Sequence, residues 1–158
     1  MPQKPPPPKA QDLDLSKMVR FGGPVEESCV SLRLFGETLD PEMVTQLLGC
    51  KPTEAHRKGD IIPDKRYHRV ANNGSWRLHS TLPRSADLEE QVRALLSHVT
   101  SDLAIWQRLN GEFAVDLFCG VFLKDCNRGF SLSPAVMHLL SERCIEIGFD
   151  IYAPTGSA

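Results

Sequence analysis

Two segments of the chain repeat one order of elements: a strand, a helix that begins with proline, and a second strand. Residues 39–48 align with residues 132–140 once one gap is allowed, and each segment holds a capping residue followed by proline, at Pro41 and Pro134. Such self-similarity constrains the fold strongly. Two strand–helix–strand units in tandem give the ferredoxin-like split βαβ arrangement. We therefore predict an α+β domain with a mostly antiparallel four-stranded sheet and its helices on one face.

The alternation of apolar and polar residues predicts which side chains line each face of the sheet. Residues 28–35 and 113–122 alternate clearly, strands are also expected at 75–80 and 145–152, and a weaker strand is expected at 61–70. Because the first and third strands of a ferredoxin-like sheet are neighbours, we expect Arg33 near Asp116. The predicted outward residues are Arg33, Phe35, Arg77, His79, Asp116, Phe118, Phe122, Glu146, Asp150 and Tyr152.

One long helix is predicted between the two halves of the repeat. Asp87 and Glu90 have the spacing of a capping box, and apolar residues then recur at three- and four-residue steps up to Leu109. This pattern predicts a helix over residues 87–109, inserted between the repeats and packed on the core.

The length of 158 residues predicts a single domain. Residues 1–27 begin with a proline run and are expected to be a disordered tail, although such a run is also typical of an SH3 ligand. The domain is expected over 28–153, with a short tail at 154–158. No apolar run reaches 18 residues, so we expect no membrane span, and the lack of a signal-like stretch favours a cytoplasmic protein.

The sequence predicts neither cofactor nor metal, and it holds no recognisable catalytic motif. Five cysteines occur without a Cys-x-x-Cys pair, and the five histidines lack ligand spacing. No Gly-x-Ser-x-Gly or His-Glu-x-x-His motif is present, and Cys119 lies on the predicted inward face, where a thiol is usually inert. These observations favour a protein that is not an enzyme.

The charges of the chain bear on which kinds of partner it could bind. A net charge of −2 argues against binding to nucleic acid, although RNA-recognition domains share the predicted topology. Arg57 and Lys58 stand beside Gly59, where the backbone can approach an anionic group closely. These residues could therefore form an anion-binding site. They could instead form a tight turn in which the Asp60 side chain bonds to nearby backbone, and we favour the turn.

Several short motifs occur together in one order. They are Leu34-Phe35-Gly36, Leu39-Asp40-Pro41, Leu47-Leu48-Gly49, Pro52-Thr53, Arg57-Lys58-Gly59-Asp60, Ser75-Trp76, Val115-Asp116-Leu117-Phe118-Cys119-Gly120, Gly129-Phe130-Ser131-Leu132-Ser133-Pro134 and Asp150-Ile151-Tyr152. In this order the chain resembles the bacterial family known as domain of unknown function 4279. The resemblance covers about residues 28–153 and implies a bacterial α+β domain. It departs from the family at Cys144, where glycine is typical.

The resemblance implies no chemistry, so the candidate site rests on residues that backbone geometry does not explain. These are Arg57, Lys58, Asp60, Trp76, Asp116 and Phe118. We expect a non-enzymatic binding module for a protein partner, of an adaptor or immunity type, with a homodimer as one form of such a partner. The alternative is a domain that binds a small ligand or anion, with a possible enzymatic role, between the Arg57–Asp60 turn and Asp116.

Overall fold

The computed structural model describes residues 23–63, 68–125 and 127–153. These residues form nine strands and four helices. The strands are β1 (Gly23–Pro24), β2 (Glu27–Gly36), β3 (Glu54–His56), β4 (Ile61–Pro63), β5 (His68–Val70), β6 (Gly74–His79), β7 (Ala114–Phe122), β8 (Arg128–Gly129) and β9 (Glu146–Tyr152). The helices are α1 (Pro41–Leu48), α2 (Leu88–Ser97), α3 (Leu103–Glu112) and α4 (Pro134–Glu142).

The α+β class is confirmed, but the sheet differs from the predicted four-stranded one. Five strands form a mixed sheet in the order β3-β6-β2-β7-β9. β9 pairs with β7 in parallel, whereas the other pairs are antiparallel. The additional strand is β3, which runs along β6 for three residues only. Its Glu54, Ala55 and His56 follow Pro52-Thr53 and lack an alternating apolar pattern, so periodicity gave no sign of a strand.

The predicted long helix over residues 87–109 is wrong, because two helices occupy this region. α2 ends at the cap His98, and α3 begins after the new cap Asp102, whose side chain accepts from Ala104 N. Between them the Thr100 N–H donates to Leu48 O, and the Thr100 carbonyl accepts from the Trp106 indole. These bonds give the backbone N–H and C=O of Thr100 hydrogen-bond partners outside a helix. The break was not predicted, because the spacing of apolar residues continues across it.

All four helices pack on one face of the sheet. Their buried residues join the inward side chains of β2, β6 and β7 in one core, where Leu32, Trp76, Trp106 and Leu117 are fully buried. Burial of these large side chains supplies most of the stabilisation, at roughly 1.5–3 kcal/mol for each aliphatic one. The opposite face of the sheet receives no helix from the described residues.

The described residues include strand structure before the expected domain start at residue 28. Gly23–Pro24 pair in parallel with Arg128–Gly129, and Glu27 already belongs to β2. The rest of the predicted N-terminal tail, with its proline run, and the predicted C-terminal tail at 154–158 lie outside the described residues. None of the four helices is long and apolar enough to cross a membrane.

Candidate functional site

The open face of the sheet carries an ion pair between its two central strands. Arg33 on β2 lies directly opposite Asp116 on β7, and its Nε and Nη2 atoms each donate to one carboxylate oxygen at 2.7 Å. The bond to Asp116 raises the pKa of Arg33 above its ordinary value, although partial burial opposes this shift. The two-pronged geometry fixes the guanidinium plane. The predicted proximity of these two residues is therefore observed.

A second arginine faces Arg33 from the other side. Arg77 on β6 is the direct cross-strand neighbour of Arg33. Its nearest carboxylate is Glu54, whose Oε2 lies 3.9 Å from Nη1, and its buried Nε has no hydrogen-bond partner among the described residues. Like charges directly opposite each other destabilise a sheet. Asp116 compensates Arg33, whereas Arg77 is only loosely compensated.

Phenylalanine rings support these arginines. The Arg33 guanidinium lies 4.5 Å from the centre of the Phe118 ring and 5.5 Å from that of Phe35. Arg77 lies 5.3 Å from the same Phe35 ring. These distances fall within the range of cation–π attraction. The face is therefore an arginine–aromatic surface, in which both guanidiniums rest on phenylalanine rings and that of Arg33 also bonds to Asp116.

A groove of about 460 Å³ opens along this surface where β2 and β6 run side by side. Its polar lining includes Ser31, Arg33, Arg77 and His79. Ser31 Oγ and His79 Nδ1 share a hydrogen bond of 2.7 Å. Its apolar lining includes Phe118 and Leu82, so it combines a few polar groups with apolar walls, as ligand pockets do.

Exposed apolar side chains also lie at the β9 edge of the sheet, with Tyr152 stacked on Phe122 on the open face and with Phe149 and Ile151 on the helix face. Eight large apolar side chains among the described residues are exposed, and four of them belong to β9 or contact it: Phe130, Phe149, Ile151 and Tyr152. The Phe130 and Phe149 rings are tilted with centres 4.8 Å apart, and Ile151 is 57% exposed. We call these four residues the β9 edge patch. Within the described residues, no strand pairs with the outer side of β9.

Three of the predicted site residues form a turn and not a shared site with Asp116. The Asp60 side chain accepts from Arg57 N at 2.7 Å, which is the tight turn that we favoured. The Arg57 guanidinium contacts Asp40 and Glu42 at the start of α1, and Lys58 contacts Glu37. Lys58 lowers the pKa of Glu37 through this bond. These contacts are exposed ion pairs, which usually contribute little.

The other three predicted residues lie on different faces of the sheet. Trp76 is fully buried on the helix face, where its indole donates to Thr45 Oγ1 at 3.0 Å. Asp116 and Phe118 are on the open face, and both contact Arg33. Neither the groove nor the second cavity, beside Phe130, is lined by Arg57, Trp76 or Asp116. Neither of these two cavities therefore joins the parts of the alternative site between the turn and Asp116.

Arg77 and the β9 edge patch were not selected from the sequence. Arg77 was expected on the outward face. Its lack of a close carboxylate could not be expected, because this depends on the position of Glu54, which belongs to the unpredicted strand β3. The antiparallel register of β2 and β6 contains a signal for Arg77, because it places this arginine directly opposite Arg33 on the outward face. The exposure of Phe149 depends on the position of β9 at the sheet edge, which alternation does not show.

Burial also determines how reactive the Cys119 thiol is. Cys119 is fully buried, and loss of solvation raises the pKa of its thiol to about 12. Such a thiol is protonated at neutral pH and is a poor nucleophile. Among the described residues no group of three or more His, Cys, Asp or Glu side chains is placed to hold a metal ion.

Together these features define an α+β domain with its helices on one face of a mixed sheet and an arginine–aromatic surface on the other. The family model described as domain of unknown function (DUF4279) matches residues 26–154, and the chain belongs to that family. The resemblance inferred from the sequence motifs is confirmed. No curated protein and no solved structure matches the chain.

Proposed function

We propose that this domain is a non-enzymatic protein-binding module, that its contact surface is the outer edge of β9, and that the occupant of this edge is a second copy of the chain. The observation that carries the proposal is the concentration of exposed apolar side chains on a strand whose outer side is unpaired among the described residues. Such an edge is a template for a further strand.

The two edges of the sheet differ in a way that supports this surface. β3, at one edge, has only three residues, and very short edge strands are a common protection against pairing. β9, at the other edge, has seven residues and carries neither proline nor lysine. Its charged side chains are Glu146 and Asp150, and it lacks the proline and lysine that often protect an edge strand.

The backbone of β9 presents its free groups at regular positions. Tyr152 O accepts from Leu123 N, so the polar backbone groups of Tyr152 face β7. Because these groups alternate along a strand, those of Ile147, Phe149 and Ile151 face outward. An antiparallel partner strand would bond to these three residues.

Charge selects one register for two copies of β9. Pairing centred on Gly148 would place Glu146 opposite Asp150 of the other copy, and pairing centred on Asp150 would oppose two aspartates. Pairing centred on Phe149 instead places Glu146 opposite Tyr152 and Asp150 opposite Gly148. Only this register avoids like charges directly opposite each other while it pairs all seven residues. The resulting two-fold contact joins two five-stranded sheets into one.

The bacterial and cytoplasmic setting expected from the sequence is part of the same proposal. Cys29, Cys50, Cys119 and Cys144 are free thiols, which suits a reducing compartment. β9 can pair with a second copy of itself, because the register centred on Phe149 places an uncharged residue opposite both Glu146 and Asp150.

The experiment is a comparison of molar mass by light scattering for the full chain and two variants. We expect the wild-type chain to be a dimer and Ile151→Lys to be a folded monomer, because the lysine would be buried against Ile147 of the other copy. Val70→Lys is the matched control, since Val70 is equally exposed, at 58%, on the separate β4–β5 ribbon. A wild-type monomer, or a dimer that Ile151→Lys leaves intact, would contradict the proposal and would leave another protein, or the chain's own residues 1–22, as the occupant.

A further inference from the structure

We propose that the groove between β2 and β6 is a binding site for the carboxylate of a small organic acid, with Arg77 as its principal anion-binding residue. This site lies on the open face of the sheet and is separate from the β9 edge. It also differs from the Arg57–Asp60 turn, whose cations already contact acidic residues.

The first support is the unequal compensation of two neighbouring arginines. Arg33 holds both oxygens of Asp116 at 2.7 Å. Arg77 has only Glu54 at 3.9 Å, beyond hydrogen-bond distance, and its Nε is buried without a partner among the described residues. A guanidinium carries five N–H donors in a fixed fork, which matches the two oxygens of a carboxylate. Arg77, which lines the groove, therefore has an N–H donor without a partner and no carboxylate within hydrogen-bond distance among the described residues.

The second support is the way in which the groove positions Arg77. The Phe35 ring lies between the two arginines, 5.5 Å from Arg33 and 5.3 Å from Arg77. A guanidinium that rests on a ring loses less freedom when an anion binds, because its plane is already fixed. Ser31 and His79, which bond to each other at 2.7 Å, add hydroxyl and imidazole groups beside it.

The other charged groups at the groove are consistent with a single added anion. Glu54 lies 3.7 Å from His79 Nε2 and 3.9 Å from Arg77, and its side chain is 61% exposed, so it can move aside. Arg84 lies on the Phe122 ring at 4.6 Å and contacts Glu27 only at 4.0 Å. Arg77 and Arg84 are therefore matched in number by Glu54 and Glu27, but neither guanidinium has a carboxylate closer than 3.9 Å among the described residues.

The size and walls of the groove indicate a small organic acid. A volume of about 460 Å³ lies in the range that holds small ligands. Phe118 and Leu82 supply apolar walls that an inorganic anion would leave uncovered. We therefore expect a carboxylate attached to a compact apolar group.

The experiment is a titration of the full chain with benzoate, followed by the NMR signal of the Arg77 Nε–H group. Benzoate is the probe, benzamide is its uncharged counterpart, and inorganic phosphate tests for a general anion site. We expect benzoate to shift this signal saturably, and benzamide and phosphate to bind at least about tenfold more weakly, since the carboxylate and the ring both contribute.

Two variants separate the site from non-specific attraction. Arg77→Met should weaken benzoate at least about tenfold, as expected for the loss of a charged hydrogen-bond pair. Arg108→Met removes a positive charge from α3, on the helix side, and should leave benzoate affinity unchanged. The proposal is wrong if benzoate gives no saturable shift, if phosphate binds as tightly, or if Arg77→Met binds benzoate like the wild type. Because light scattering reads only the β9 contact, these results are independent of the dimer.

Discussion

Arg33 on β2 and Asp116 on β7 are joined by two parallel hydrogen bonds of 2.7 Å across the centre of the open sheet face. Arg77 lies on the other side of Arg33, directly opposite it on β6. The ion pair thus has two roles: it links the central strands, and it neutralises one member of a pair of like charges. This arrangement concentrates the uncompensated charge on Arg77.

Removal of Asp116 should destabilise the fold measurably. We expect Asp116→Ala to lower the free energy of unfolding by about 1–2 kcal/mol, because Arg33 would lose two charged hydrogen bonds and would face Arg77 without compensation. Urea unfolding of this variant, Arg33→Met and the double variant would give the coupling energy. The matched pair is Arg108–Glu112, which is exposed on α3 and should couple by no more than about 0.5 kcal/mol. Equal coupling energies for Arg33–Asp116 and Arg108–Glu112 would contradict a stabilising role of the Arg33–Asp116 bond.

Trp76 should behave as a core residue and not as a binding residue. Trp76→Phe should reduce the free energy of unfolding by about 2 kcal/mol, since it leaves a cavity and removes the bond to Thr45. Denaturant unfolding measures this loss, while light scattering and benzoate titration of the folded variant should give wild-type results. A change in dimer mass or benzoate affinity without a loss of stability would show that Trp76 belongs to a site.

Cys144 occupies a position where glycine should be more stable. It has a φ of +52°, and the bonds from Ile145 N to Leu140 O and from Cys144 N to Ser141 O form a Schellman end to α4. We expect Cys144→Gly to raise the free energy of unfolding by about 0.5–1 kcal/mol, because glycine adopts this conformation without strain. Cys144→Ala removes the thiol but keeps the strain, so it should give no gain in a thermal or urea melt. Equal gains from both variants would assign the effect to the thiol.

Acid should weaken the contact between α2 and α4. Glu89 accepts from Ser133 N at 2.6 Å and from Ser133 Oγ at 2.8 Å. The Ser133 backbone, and then Arg93, hold the pKa of Glu89 below its ordinary value of 4.5. A pKa that is lower in the folded state means that the stabilisation is complete above the unfolded value and is lost as the pH falls through the folded one.

The Glu89→Gln variant tests this dependence. Its urea midpoint should fall less than that of the wild type on acidification from about pH 6 to about pH 3, because it has no carboxylate to protonate. Glu112→Gln controls for the loss of one acidic residue from the net charge. An equal fall in the wild type and in Glu89→Gln would exclude Glu89 as a source of the acid sensitivity.

The sequence predicted those parts of the structure that depend on local pattern. The outward positions of Arg33, Asp116 and Phe118 followed from alternation, and the caps Asp40 and Ser133 start α1 and α4 as expected. The class, the family and the Arg33–Asp116 contact were therefore accessible without coordinates.

The remaining features depend on tertiary contacts that local pattern does not contain. The division between α2 and α3 is stabilised by bonds of Thr100 to distant groups, and β3 is a strand only because β6 lies beside it. The exposure of Phe149 and the lack of a close partner for Arg77 both follow from where other strands lie. The six candidate residues chosen from the sequence for this reason include Phe118, which lines the groove, but not Arg77.

The most direct test of the proposed β9 contact is the dimer dissociation constant of Gly148→Lys, measured by sedimentation equilibrium beside the wild type. A Cβ at Gly148 would meet no atom within 4 Å, so a side chain can start there without a clash in the monomer. In the register centred on Phe149, each lysine would face Asp150 of the other copy. The dimer should then tighten several-fold, since each opposite-charge pair contributes about 0.2–1 kcal/mol. A weaker dimer, or a monomer for both proteins, would contradict the account.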